Sequence, residues 1–172
     1  QMRCANIFGS KASFYTVNGS SGGIIASTFY ATKPGDDILI ARNCHISVIR
    51  AAIINRLKVH YIETCFSEGF DKNISVQAFE DQVKKIRPKA IVVTHPNYFG
   101  FPVDIEKIVD ISKDYECTLI VDEAHGGHLH FSSDLPMSAI DAGADIIIQS
   151  AHKMLTGLNQ SAYVHVASER VD

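Results

Sequence analysis

The stretch Ile146-Ile147-Ile148-Gln149-Ser150-Ala151-His152-Lys153 is an apolar run that ends abruptly in Ser-x-His-Lys. A second run, Thr118-Leu119-Ile120-Val121, ends in the same manner in Asp122-Glu123-Ala124-His125. Short apolar runs bounded by polar residues read as strands buried on both faces. In open α/β sheets, ligands bind just beyond the C-terminal ends of such strands. A lysine and an aspartate at two neighbouring strand ends point to one chemistry. The lysine amine would hold an aldehyde cofactor as a Schiff base, and the aspartate would pair with the cofactor's ring nitrogen. The cofactor of that description is pyridoxal 5'-phosphate.

Outward from these two runs, strands alternate with helix-period segments along the whole chain. Strands are expected at 13–18, 37–41, 58–62, 90–94, 118–122, 145–149 and 162–167. Helices are expected at 22–33, 47–56, 75–86 (capped by Ser75), 105–115 and, in short form, 137–142. Residues 1–8 read as a helix end, 64–73 as a polar loop and 96–102 as a Pro-rich loop. This alternation implies right-handed βαβ units. The expected fold class is therefore α/β, a three-layer α/β/α domain around a mostly parallel mixed sheet. With no repeat, linker or low-complexity segment, residues 1–172 read as one domain.

The bulk numbers fit that reading. The 172 residues are 46% apolar and 20% charged, as in a globular protein able to bury a core. A formal net charge of −3 argues against nucleic acid and anionic membranes as partners. No apolar run approaches the roughly 20 residues of a membrane span, and no signal-peptide pattern is present. Cys4, Cys44, Cys65 and Cys117 are scattered without C-x-x-C, which reads as reduced thiols in a cytoplasmic protein. The chain opens at Gln1 inside a helix end and stops just after a strand. It reads as a fragment of a longer enzyme, without that enzyme's N-terminal segment and C-terminal small domain.

Asn18-Gly19-Ser20-Ser21-Gly22-Gly23 joins the first strand to a helix. Glycines let the backbone approach an anion, and the first helical turn offers unpaired N–H groups with a favourable dipole. The same residues would also serve as a plain Gly-Ser turn with a helix cap. They form neither a Walker A loop nor the dinucleotide G-x-G-x-x-G.

Asp-Glu-Ala-His after an apolar strand also has the look of a Walker B segment, but the lysine of a Walker A loop is missing. His125, His128 and His130 lie close together beside Asp122, yet H-x-x-H-x-H matches no standard zinc spacing, and no metal is expected. In the pyridoxal reading each group has work. Asp122 keeps the ring nitrogen protonated, so that the ring can act as an electron sink. Ala124 is small enough to lie against one ring face, and His45 could stack on the other. His45 would equally serve as a polar residue at a helix N-terminus. Lys153 must lose a proton to attack the aldehyde, which burial beside cations favours. Ser150 and His152 bracket it and could bind phosphate.

These stretches resemble the bacterial ornithine/lysine/arginine decarboxylases, with the arginine/lysine-type shorter members closest by the His128-Leu129-His130-Phe131 run. The resemblance is carried by residues 17–23, Arg42-Asn43-Cys44-His45, Asn97-Tyr98-Phe99-Gly100, residues 121–126 and Ser150-x-His152-Lys153, and it runs over nearly the whole chain. It implies the large domain of an aspartate-aminotransferase-like (fold type I) enzyme. It implies Lys153, His45, Asp122 and His125 as catalytic residues. Ser20, Ser21, Gly22, His45, Asp122, Ala124, Ser150, His152 and Lys153 would bind the cofactor. It further implies removal of the α-carboxylate of arginine, lysine or ornithine, a place in polyamine metabolism, and a homodimer or higher homo-oligomer whose second subunit completes the site. Other enzymes of this fold (aminotransferases, lyases, aldolases) and an inactive cofactor-binding fragment are the alternatives. The chain departs from the family at Ile46, where a basic residue is usual, and at Asn97, where threonine is common. Ile148 and Asn159, around the lysine motif, stand where the family has small residues.

Overall fold

The computed structural model describes residues 1–171. In chain order the elements are α1 (Met2–Phe8), β1 (Ala12–Thr16), α2 (Gly19–Ala31), β2 (Asp37–Ala41), α3 (Ile46–Ile54) and β3 (Lys58–Ile62). A two-stranded ribbon follows, β4 (Phe66–Ser67) with β5 (Phe70–Asp71), and then α4 (Val76–Ile86), β6 (Ala90–Thr94), α5 (Ile105–Asp114) and β7 (Thr118–Asp122). After a 3-10 turn at Leu129–Phe131 come β8 (Ile146–Ser150), α6 (Ala151–Met154) and β9 (Ala162–Val166).

Seven strands form one sheet in the order β1-β9-β8-β7-β6-β2-β3. All neighbouring pairs are parallel except the two made by β9, which runs antiparallel to both β8 and β1. The C-terminal ends of β1, β2, β3, β6, β7 and β8 therefore lie along one edge. Strand residues alternate between two cores, as the period of two demands. Ile38, Ile40, Val92, Ile120 and Ile148 pack under α2 and α3. Leu39, Ile91, Val93, Leu119, Val121 and Ile147 pack with α1, α4 and α5 on the other face. This is the expected three-layer α/β/α architecture with a mixed, mostly parallel sheet.

Local chemistry explains the boundaries. Ser75 accepts from the Ala78 N–H at 3.2 Å and starts α4 as expected. β1 stops at Thr16 because its last partner is Ala162, where β9 begins. Gly19, in the left-handed region at φ 68, gives its N–H to the Gln160 carbonyl at 2.8 Å, and α2 starts there rather than at residue 22. A methyl at Gly23 would meet a Val164 methyl at 2.8 Å, so glycine is what lets α2 lie against the sheet. The helix expected at 137–142 does not form. Ser138 caps a single turn through its hydroxyl and carbonyl, and Gly143 at φ 77 ends it so that β8 can start. Residues 151–154, directly after β8, make the short helix α6. No helix among the described residues is long and apolar enough to cross a membrane.

Candidate active site

Six loops meet at the C-terminal edge of the sheet, each delivered by a strand that ends there or, in one case, begins there. β1 leads through Asn18 into α2, whose first turn carries Ser20, Ser21 and Gly22. Gly22 gives its N–H to the Asn18 carbonyl. The N–H groups of Ser20 and Ser21 lie where no preceding helical carbonyl accepts them. β2 leads to Asn43 and His45. β6 delivers Thr94 and Tyr98, β7 delivers Asp122, Ala124 and His125, and β8 delivers Ser150, His152 and Lys153. The turn that precedes β9 closes the edge through Gln160.

A cleft of about 110 Å³ is lined by Ser20, Asn43, His45, Thr94, Tyr98, Asp122, Ala124, His125 and Lys153. Six of the residues expected from the sequence therefore share one cavity: Ser20, His45, Asp122, Ala124, His125 and Lys153. Ser21, Gly22, Ser150 and His152 do not line it. Ser21 and Gly22 stand beside Ser20 in the first turn of α2. Ser150 is buried at the N-terminus of α6, and its hydroxyl has no partner.

Asp122 is 4% exposed and accepts the Ala124 N–H at 3.2 Å. Burial pushes its carboxyl up from the usual range. The Ala124 N–H, then the charges of Lys153 and His45, draw it back down. Burial, then Lys153 and His45, also lower His125, which favours its neutral imidazole. The His125 ring meets Tyr98 edge-on at 6.1 Å. His45 is both things the sequence allowed. Its Nδ1 accepts the Ser47 N–H at 3.2 Å and caps α3, while the ring lines the cleft. Lys153 departs from expectation. It is exposed, because α6 is a single turn whose outward face carries Lys153 and Met154.

The other histidines of the 125–130 run have separate work. His130 is bonded to Asp141 at 2.8 Å and to the Ile7 carbonyl at 3.2 Å. His128 lines a second, larger cavity of about 460 Å³ that adjoins the cleft at Tyr98 and His125. Asn97 organises its own loop. It donates to the Asp71 carbonyl at 2.7 Å and accepts the N–H groups of Phe99 and Phe101. Ile46 is the exposed first residue of α3 and is not a cleft residue.

Sequence reasoning assigned no role to Asn43, Thr94, Tyr98 or Asn73. Asn73 sits within the segment read as a polar loop, at φ 76 and 1% exposed. Its amide donates to the carbonyls of Thr94 and Phe101, both at 3.0 Å. Its oxygen accepts from the Ile74 N–H and from Asn43. It thus ties together three of the loops around the cleft. The only signal in the sequence was an Asn able to take a left-handed turn.

The residues present fit pyridoxal phosphate. Asn43 Oδ1 and Thr94 Oγ1 are buried polar atoms without partners on residues that line the cleft with a primary amine, a buried carboxyl and Ser20 of the first turn of α2, and Ser150 Oγ, just before the turn that carries Lys153, is a third. Buried polar atoms are otherwise almost always paired, so these ask for a polar ligand.

The fold is that of the fold type I pyridoxal-phosphate enzymes. Alanine–glyoxylate aminotransferase from Nostoc sp. superposes with a TM-score of 0.78 at 17% identity, over 94% of this chain and 41% of its own. The lysine decarboxylase LdcF of Francisella novicida gives 0.81 at 23% identity, over 96% of this chain and 25% of its own. The chain belongs to the Orn/Lys/Arg decarboxylase family, whose major-domain model matches residues 1–172. It is 37% identical over 165 residues to an arginine decarboxylase of Bacillus cereus, covering 94% of this chain and 36% of that protein. The chain thus spans about a third of the length of the curated relatives it matches.

Proposed function

We propose that this chain carries the pyridoxal-phosphate site of a decarboxylase that acts on a basic amino acid, arginine, lysine or ornithine. One observation carries the reading: an amine (Lys153), a buried carboxyl (Asp122), a flat small surface (Ala124) and an imidazole (His45) line one cleft at the C-terminal edge of the sheet. When bound, pyridoxal phosphate supplies an electron sink for the pair released when the Cα–carboxylate bond breaks. Asp122 would hold a proton at the ring nitrogen, and Ala124 and His45 would flank the ring. Ser20, Ser21, Gly22, Ser150 and His152 would hold the phosphate, with the α2 dipole favouring its charge. Lys153 is the amine for the aldehyde. Lys153 and the neutral His125 are the groups able to hold or hand over a proton on the substrate side. Family membership and the 37% identical arginine decarboxylase support the choice of reaction.

The same reading includes a cytoplasmic enzyme of polyamine metabolism that works as a homodimer or higher homo-oligomer. The exposure of Lys153 and the short span relative to the relatives support a site completed by further chain or a second subunit. The 172-residue chain alone is expected to be inactive or weakly active. The test has two arms. Lys153→Ala should abolish the visible absorbance that the protein gains with pyridoxal phosphate, and survival of that absorbance would remove Lys153 from its role. Carbon dioxide released by the parent-length enzyme from arginine, lysine or ornithine identifies the reaction. A product that depends on a keto acid and forms without gas would mean transamination instead.

A further inference from the structure

Glu123 is the first residue after β7 and faces the opposite side of the sheet from Asp122, at 0% exposure. Its Oε1 accepts the Ala139 N–H at 2.7 Å, and its Oε2 stands 2.6 Å from the Gln149 amide. The other end of that amide is 3.3 Å from His165 Nε2, and His165 Nδ1 is 2.7 Å from Ser13 Oγ. Ser13 in turn meets Ser10 Oγ at 2.9 Å, and Ser10 reaches the Ala12 carbonyl at 3.2 Å. A polar chain therefore crosses β7, β8, β9 and β1 inside the core. The charged or titratable groups around Glu123 are Asp141 of the 139–143 turn and His165 beyond Gln149. His95, at the end of β6, is occupied by the Met137 carbonyl and the Val103 N–H. None of the main influences on its carboxyl, which are burial, the Ala139 N–H, the Gln149 amide and Asp141, is a cation.

We infer that Glu123 is a neutral, hydrogen-bond-donating acid in the folded protein, and that the chain beyond it runs in one direction. The Glu123 hydroxyl donates to the Gln149 amide oxygen, and the Gln149 nitrogen donates to His165 Nε2. His165 Nδ1–H donates to Ser13, Ser13 to Ser10, and Ser10 to the Ala12 carbonyl. The distances choose this direction. A contact of 2.6 Å is short for N–H···O and normal for O–H···O, while 3.3 Å suits a nitrogen donor facing a nitrogen. The two ends of a glutamine amide are assigned from such a network. Each link then pairs one donor with one acceptor, and no charge is buried. In the reverse direction Glu123 is a buried anion with no cation, and the Ser10 hydroxyl cannot serve both Ser13 and Ala12. Burial drives the carboxyl the same way, up to about 8.

Glu123 is thereby a positioning residue. It brackets the end of β7, which carries Asp122, Ala124 and His125, to the end of β8, which carries Ser150 and Lys153. It does so without adding a second negative charge beside Asp122. That bearing on Asp122 rests on the cofactor reading above; the network itself does not.

The test is reversible denaturant unfolding of the full chain and of Glu123→Gln, which keeps the shape, between pH 5 and 8.5. A carboxyl that is neutral when folded and ionised when unfolded makes the wild-type unfolding constant rise, relative to the variant, about tenfold per pH unit. The rise should level off near pH 8. A flat ratio would overturn the inference. Where the variant does not fold, nitrogen-15 spectra of wild-type His165 decide: the inference requires a protonated Nδ1 and a bare Nε2, and the opposite tautomer rejects it. Neither readout involves cofactor or activity, so failure here is distinct from failure of the decarboxylase reading.

Discussion

Replacing Asn73 should be among the most damaging single changes outside the cofactor residues. Asn73→Ala leaves the buried Thr94 carbonyl and Ile74 N–H without their side-chain partners, at about 1–3 kcal/mol each. Alanine at φ 76 adds about 1 kcal/mol, since its Cβ crowds the neighbouring carbonyl. The sum is about 3–7 kcal/mol, a large share of the roughly 5–15 kcal/mol that holds a domain together. Asn73→Gly loses the same hydrogen bonds but not the backbone fit, so it should be about 1 kcal/mol more stable than Asn73→Ala. Denaturant midpoints for the two variants and wild type measure all three quantities. An alanine variant within about 1 kcal/mol of wild type would show that Asn73 does not clamp the three loops, and a glycine variant no better than alanine would refute the backbone part of the argument.

Gly23→Ala gains about 1 kcal/mol of helix propensity, but its methyl meets Val164 at 2.8 Å and Ile148 at 3.2 Å. Overpacking at about 1–3 kcal/mol outweighs the gain, so thermal melting should show a net loss near 1 kcal/mol, and a stabilised variant contradicts the packing argument. Burial, then the charge of His130, lowers His165 to about 4, below the ordinary value of about 6.5. The unfolded chain therefore takes up the proton first. The stability contributed by the neutral His165 is fully present above pH 6.5 and is lost as the pH falls toward 4, by up to about 3 kcal/mol. His165→Asn should flatten that acid slope, and an unchanged slope would assign the decline to other groups.

The parts of the site carried by local patterns were legible from the sequence. Asp122 and Lys153 could be found because each ends an apolar run, and a strand end in a parallel sheet is a position on a known edge. The missed features depend on contacts distant in sequence. Asn73 has a role because Thr94 and Phe101 lie against it, 21 and 28 residues away. Burial of Lys153 was expected because its amine must lose a proton to attack the aldehyde. Its exposure follows from α6 being one turn long. The 137–142 segment has helix-like composition, yet Gly143 and the start of β8 leave room for one turn only.

The sequence by itself determined the class of fold, the edge that carries the chemistry and the residues that stand there, because strand period, glycine turns and helix caps are local. Only the tertiary structure decided how those residues are held. The strand order brings β7 beside β8, so Asp122 and Lys153 share a cleft. The reversal of β9 carries His165 to Gln149, and Gln149 to Glu123. A buried acid needs a partner, and which group supplies it depends on which strands are neighbours.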